Sequence, residues 1–184
     1  YENFSYQDAL GSELVVNGDF SNWTNDNPDN WIVLNEDANN YVTESLSGGE
    51  LRMVSNNTST IQIRQENIIT AGVTYKIVVD VTEVISGSIR FQLNSQIQVL
   101  DTVGLFTFYV TADVSGFFAI TRQSACDITI DNVSVKEYLG QSVVPESGCG
   151  SWLFEPQSTN LVPYSEDFSQ WDIVRATSTA NASV

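Results

Sequence analysis

Apolar residues recur at every second position through much of the chain. Ile61 and Ile63 alternate with Gln62 and Arg64. Tyr75, Ile77, Val79 and Val81 alternate with Thr74, Lys76, Val78 and Asp80, and Ile89, Phe91 and Leu93 with Ser88, Arg90, Gln92 and Asn94. A period of two puts one set on each face of an extended chain, so each stretch predicts a half-buried β-strand. Further strands are predicted over 13–16, 30–34, 41–44, 50–54, 105–111, 116–122 and 127–136. Turn-forming clusters separate them, among them Asn25-Asp26-Asn27-Pro28-Asp29-Asn30, Ser47-Gly48-Gly49, Ser55-Asn56-Asn57 and Ala71-Gly72. About ten short strands without a 3.6-residue apolar period predict an all-β sandwich or barrel.

The last of these strands breaks its own alternation. Ile128 and Ile130 share one parity and Val133 and Val135 the other, so the inward face changes at Asp131-Asn132. One extra residue in a β-bulge restores the pattern. The bulge is either a plain structural kink or a device that aims the Asp131 carboxylate at a cation.

Beyond Tyr138 the alternation fails, and 139–151, rich in Gly, Ser and Pro, reads as a linker. After it, Asp167-Phe168-Ser169-Gln170-Trp171 repeats the Asp-Phe-Ser-x-Trp of Asp19-Phe20-Ser21-Asn22-Trp23, with Leu161-Val162 standing upstream as Leu14-Val15 does. A repeat at about a domain's spacing indicates tandem modules. The predicted organisation is therefore a lead-in or anchor over 1–12, a sandwich over 13–138, a linker over 139–151 and the opening strand of a second, truncated sandwich over 152–184.

Charge narrows the function. Among 184 residues, 23 are Asp or Glu, 7 are Lys or Arg and none is His, for a net charge of -16. So acidic a chain lacks the clustered cations that bind phosphate backbones or anionic membranes, so nucleic acid is not an expected partner. No apolar run approaches the roughly 20 residues of a membrane span, so membrane insertion is not expected either. The first residues, from Tyr1, carry neither the basic nor the apolar region of a signal peptide, which suggests a mature or internal piece. Without histidine, a Ser–His or Cys–His nucleophile pair and a His-based metal site are both excluded. The acids fall in turns and at strand ends, and no motif sets two across a substrate, so the chain is expected not to be an enzyme. Cys126 and Cys149 are the two cysteines, and sequence alone does not decide whether they pair.

Two stretches carry resemblances. Glu13-Leu14-Val15-Val16-Asn17-Gly18-Asp19-Phe20-Ser21, followed by Trp31 and closed by Ile128-Thr129-Ile130-Asp131-Asn132-Val133-Ser134-Val135, resembles the jelly-roll carbohydrate-binding modules of bacterial xylanases and laminarinases, which share the galactose-binding-like fold. That resemblance implies a jelly-roll β-sandwich over 13–138 and a structural calcium ion where the first and last strands meet. The matching ligand positions are Asn17, Asp19 and Asp131, with Glu50 and the carbonyls beside it as further donors. The second stretch, Gly148-Cys149-Gly150-Ser151-Trp152-Leu153-Phe154-Glu155-Pro156, continuing through Tyr164-Ser165-Glu166-Asp167-Phe168-Ser169, looks like the junction before sandwich modules in bacteriophage tail, fibre and related virion proteins. It implies a virion location with other virion subunits as partners, a homotrimer among them, and a host-surface glycan as ligand. The alternatives are a structural spacer or capsid-decoration domain, and a carbohydrate-binding module of a secreted, polysaccharide-degrading enzyme.

A sugar-binding surface combines aromatic plates for pyranose faces with planar amide or guanidinium groups for hydroxyls. Trp23, Trp31, Tyr41, Tyr109, Phe117 and Phe118 supply candidate plates, and Arg122 a further polar position, while Phe20 and Trp31 also suit a core. If Ile61, Ile63, Ile89, Phe91 and Leu93 face inward, Gln62, Arg64, Arg90 and Gln92 share the outward face. The predicted ligand surface is that face, with Tyr109 beside it. A subunit interface in an assembly uses the same residue types, and the sequence does not separate the two.

Overall fold

The computed structural model describes residues 4–145 apart from 46–47, 57–59 and 94. The second-module residues 152–184 and Cys149 thus lie outside the described residues. Within them the chain forms strands β1 (Phe4–Glu13), β2 (Trp23–Thr24), β3 (Asn27–Pro28), β4 (Ile32–Leu34), β5 (Asn40–Glu44), β6 (Leu51–Ser55) and β7 (Gln62–Ile69). It continues with β8 (Thr74–Ser86), β9 (Ile89–Leu93), β10 (Gln96–Leu100), β11 (Gly104–Thr111), β12 (Gly116–Arg122) and β13 (Cys126–Pro145). One sheet runs β11-β8-β13-β6-β5 with β1 added beside β13; the other runs β10-β9-β12-β7-β4. From β6 to β13 the chain changes sheet at every connection except β9 to β10, and the neighbours that result, β6-β13-β8-β11 over β7-β12-β9-β10, are those of an eight-stranded jelly roll. The fold is an all-β, jelly-roll sandwich.

Period-two patterning explains the core. Ile61, Ile63, Ile89, Phe91, Leu93, Phe118 and Ile120 from the five-stranded sheet meet Leu51, Met53, Ile77, Val79, Val81, Ile128, Ile130 and Val135 from the other, all buried. Phe20 and Trp31 fill one end, with Phe20–Trp31, Trp31–Phe118 and Phe118–Phe91 centroids 5.6, 6.3 and 6.0 Å apart. The parity change in β13 is a bulge. Asp131 pairs with Asp80 and Ser134 with Val78, so Asn132 and Val133 oppose one residue, and Asn132 takes φ 52°. Both Ile130 and Val133 consequently point inward.

The opening segment departs from the predicted strand over 13–16. β1 ends at Glu13. Leu14 N still donates to the Val135 carbonyl at 3.0 Å, but Val16 is held by a side chain: its N–H donates to Gln65 Oε1 at 3.1 Å and its carbonyl accepts Gln65 Nε2 at 2.6 Å. Gln65 occupies an inward position of β7, and this pair of bonds accounts for a buried amide in an apolar file. Residues 4–12, read as a lead-in, belong to β1, which pairs with β13 from Phe4↔Pro145 to Glu13↔Lys136. The strand pair thus extends to 145 through part of the predicted linker. Asp8 fastens it to the sheet: Lys76 Nζ and the Tyr109 hydroxyl both donate to Asp8 Oδ2, at 2.6 and 2.7 Å, and hold its carboxyl below the usual range.

Candidate functional site

The outer face of the five-stranded sheet gathers four of the predicted ligand residues. Directly opposed residues of neighbouring strands point to the same side. Thr121 of β12 opposes Gln62 of β7 and Arg90 of β9, and Ala119 opposes Arg64 and Gln92. A rank of polar side chains therefore stands on each side of the central strand. Outside the ranks, Ile32 and Leu34 of β4 oppose Arg64 and Gln62, while Ile97 and Val99 of β10 oppose Gln92 and Arg90. Ile32, Ile97 and Val99 are 42%, 42% and 50% exposed, so the polar strip has apolar margins.

The long side chains lie across the small ones. Ala119 and Thr121 face outward yet are fully covered. Gln62 Nε2 donates to Thr121 Oγ1 at 3.0 Å, and that hydroxyl donates to Gln92 Oε1 at 2.7 Å, a relay across three strands. Arg64 lies over the Phe117 ring at 5.3 Å and its Nη2 meets Glu66 Oε1 at 2.6 Å. A bulge in β7 makes room for this: Gly116 pairs with Ile69 and Phe118 with Gln65, leaving Glu66, Asn67 and Ile68 opposite Phe117, with Asn67 at φ 62°. Arg90 Nη1 reaches Gln123 Oε1 at 3.4 Å. The Nε atoms of Arg64 and Arg90 are covered and without a hydrogen-bond partner.

Tyr109 is not part of this face. It lies on β11 of the other sheet, on that sheet's outer surface, packed edge-on against Tyr138 at 5.0 Å and bonded to Asp8. Strand parity assigns a side chain to a face but not to a sheet, which is why the sequence placed Tyr109 beside Arg90. Arg122 opposes inward-facing Ile89, so it sits at the end of its strand on the core side. Trp31 and Phe118 are core, and Phe117 alone among the predicted plates stands in the ranks just described. Trp23 lines an open cleft of about 460 Å³ with Asp26 and Glu44 along edge strand β5, and Tyr41 lines an adjoining one of about 490 Å³ with Asp26 and Glu36. Ala119, Thr121, Ile32, Ile97 and Val99 went unmarked in the sequence; the alternation of β12 was the available signal for the first two.

The predicted cation residues converge on the bulge without forming a cage. Gly18 O accepts the Val133 N–H at 2.8 Å, so loop 17–19 docks on β13 as expected of first and last strands. Asn17, however, uses its whole amide to shape the loop: Nδ2 donates to the carbonyls of Asn22 and Asp29, both at 2.9 Å, and Oδ1 accepts the Asn22 N–H at 3.1 Å. Asp19 Oδ1 accepts from the Ser21 N–H and hydroxyl, and Glu50 Oε2 accepts from the Ser45 hydroxyl at 2.7 Å. Burial raises the Asp131 pKa; the Asn132 N–H opposes that, and the negative charges of Glu50, Asp19 and Asp80 add to it. Among the described residues no three carboxylates or thiols are placed as ligands of one ion.

That shift has a sign. A carboxyl whose pKa is raised on folding stabilises the fold while protonated, and this contribution is lost as pH rises through the folded value. Asp131→Asn is therefore expected to raise the melting temperature at neutral pH in chelator, and to leave it near wild type at pH below about 3.5, under the ordinary carboxyl pKa. Thermal melts at the two pH values check this; a mutant less stable than wild type at neutral pH contradicts it.

No protein-family profile matches the chain, and no curated protein matches it. Solved structures do. A CBM4 structure is 19% identical over 66% of this chain and 98% of its own, with a TM-score of 0.46. The CBM22-1 and GH10 modules of the Clostridium thermocellum N-terminal endo-1,4-β-D-xylanase 10B, complexed with xylohexaose, are 16% identical over 71% of this chain and 29% of theirs, with a TM-score of 0.47. A family 29 carbohydrate-binding module is 9% identical over 73% of this chain and 92% of its own, with a TM-score of 0.43.

Proposed function

We propose that residues 4–145 form a non-catalytic carbohydrate-binding module, with the glycan lying along the outer face of the five-stranded sheet. The observation that supports this most is the composition of that face: amides and guanidinium groups in two ranks, with exposed Ile32, Ile97 and Val99 at the margins. Pyranose rings present hydroxyls at their rims and C–H surfaces on their faces. Gln62 and Gln92 offer donors and acceptors to the first, and the margins offer apolar contact to the second. The buried Cys126 thiol, pushed up to about 11, stays protonated and makes no nucleophile.

Each exposed hydrogen bond to a sugar contributes about 0.5–1.5 kcal/mol net, so one module binds weakly and gains from repetition. The double variant Gln62→Ala with Gln92→Ala is expected to weaken binding about tenfold or more while melting within a few degrees of wild type. Titration calorimetry against soluble xylans, β-glucans and cell-surface glycans reads the first, and thermal melts the second. Unchanged affinity in the folded double variant removes the face from the account.

The carrier we favour is a secreted, polysaccharide-degrading enzyme, the last of the settings the sequence suggested. The virion reading, with its homotrimer, rests on 148–169, outside the described residues, and none of the structures named above is a virion protein. Calcium also enters as a proposal. The carboxylates of Asp19, Glu50 and Asp131 supply the charge such an ion requires, but Asn17 does not suit a ligand role and the group is not arranged as a cage. The proposal predicts that calcium raises the wild-type melting temperature relative to chelator and that Asp131→Asn abolishes the difference; an equal response in both places the ion elsewhere.

A further inference from the structure

We infer that the glycan bound on this face carries a carboxylate, a uronic acid unit, received by Arg90, with Arg64 diagonally across β12 from it. The inference rests on the carbohydrate-binding reading above and names the class of sugar.

Acids outnumber bases in the chain, 23 to 7, so a basic side chain has carboxylates in plenty to pair with. On the six-stranded sheet they do pair: Arg52 with Asp127 at 2.6 Å, Lys76 with Asp8 at 2.6 Å and Lys136 with Glu13 at 3.8 Å. Arg64 has Glu66, a partly exposed partner two residues along the same strand. Arg90 differs. Among the described residues it has no carboxylate within ion-pair distance, and its one hydrogen bond is the long contact with the Gln123 amide. Its Nε–H, like those of Arg64 and of Arg122, which lies off this face, is covered and makes no hydrogen bond.

A guanidinium presents donors in a planar fork, and a carboxylate approaching it side-on takes Nε–H and one Nη–H together. A modest outward turn of Arg90 would thus satisfy the donor that the protein leaves unpaired, in trade for the weak Gln123 contact. Leaving a covered donor unmatched is unfavourable, so the arrangement suits a ligand that supplies the acceptor. Neutral sugar hydroxyls are already served by Gln62 and Gln92, and need no cation. Phe117 beneath Arg64 supports a second guanidinium on the same face, where a neighbouring uronate of the chain would compete with Glu66 for it. The surrounding charge of -16 repels a long polyanion, so selectivity is best read with short oligosaccharides at about 0.15 M salt, where the Debye length is roughly 8 Å.

The experiment is titration calorimetry of the full chain with galacturonate, glucuronate and mannuronate oligosaccharides, each against its carboxyl-reduced neutral counterpart. The expected result is at least one uronate bound about tenfold or more tighter than its reduced form, with Arg90→Gln losing that preference. Arg64→Gln, measured in parallel, is expected to weaken the preference and serves where Arg90→Gln does not fold. Equal binding of charged and reduced forms, or a preference unchanged in folded Arg90→Gln, overturns the inference and leaves the module reading standing. Binding of no oligosaccharide of either kind, with none to neutral polysaccharides, overturns the module reading itself.

Discussion

Gly18→Ala is expected to cost about 3 kcal/mol or more of folding stability, although it adds one methyl group to a loop. A Cβ on Gly18 would lie 2.0 Å from the Val133 carbonyl oxygen and 3.1 Å from its carbon, both backbone atoms. Neither can rotate away, so either loop 17–19 or the β13 bulge must move. Movement of the loop loses the 2.8 Å bond from Val133 N to Gly18 O and disturbs Asn17, which ties the loop to Asn22 and Asp29. It also shifts Phe20 and the Trp31 indole, whose Nε1 donates to the Asn17 carbonyl at 3.1 Å. Urea denaturation reads the effect as a lower midpoint at unchanged slope. Stability within about 0.5 kcal/mol of wild type would show that the loop does not dock on the bulge as described.

Phe118→Ala and Phe117→Ala are expected to differ sharply despite adjacency. Phe118 is fully buried and contacts both Trp31 and Phe91, so its removal leaves a cavity between the sheets and costs about 3–5 kcal/mol. For a chain of this size that lowers the melting temperature by on the order of 10 °C. Phe117 points the other way, beneath Arg64, and its loss is expected to cost about 1 kcal/mol or less while loosening Arg64. Melting curves of the two variants, with glycan affinity measured for Phe117→Ala, check both parts. Equal destabilisation would mean that the inner and outer faces of β12 are misassigned.

Alternation made the sandwich legible, and it made the β13 bulge legible too, because a single extra residue is what turns Ile130 and Val133 to the same side. It could not show β1. Residues 4–13 have no clean apolar period, and they are held by pairing with β13 and by the Asp8 contacts to Lys76 and Tyr109, long-range features that no local pattern encodes. Gln65 followed the apolar parity of Ile61 and Ile63, and its inward amide makes sense only once Val16 is seen to need a partner. The outward face of Gln62, Arg64, Arg90 and Gln92 followed from parity. Its extent did not, since Ala119 and Thr121 are too small to mark a site, and the exposure of Ile97 and Val99 depends on β10 being an edge strand. The grouping of Asn17, Asp19, Glu50 and Asp131 came from a resemblance and not from any local pattern; the charges of Glu50 and Asp19 do act on Asp131, whereas the Asn17 amide is spent on Asn22 and Asp29, a loop-shaping role that no periodicity signals.

The central claim is that a glycan lies on the outer face of the five-stranded sheet. Amide chemical-shift mapping by NMR, with the oligosaccharide that binds best in calorimetry, tests it residue by residue without altering the protein. The account predicts perturbations concentrated on Gln62, Arg64, Arg90, Gln92, Ala119 and Thr121, extending to Ile32 and Ile97. Perturbations concentrated instead around Tyr109 and Tyr138, or along the cleft of Trp23, Asp26 and Glu44, would contradict it.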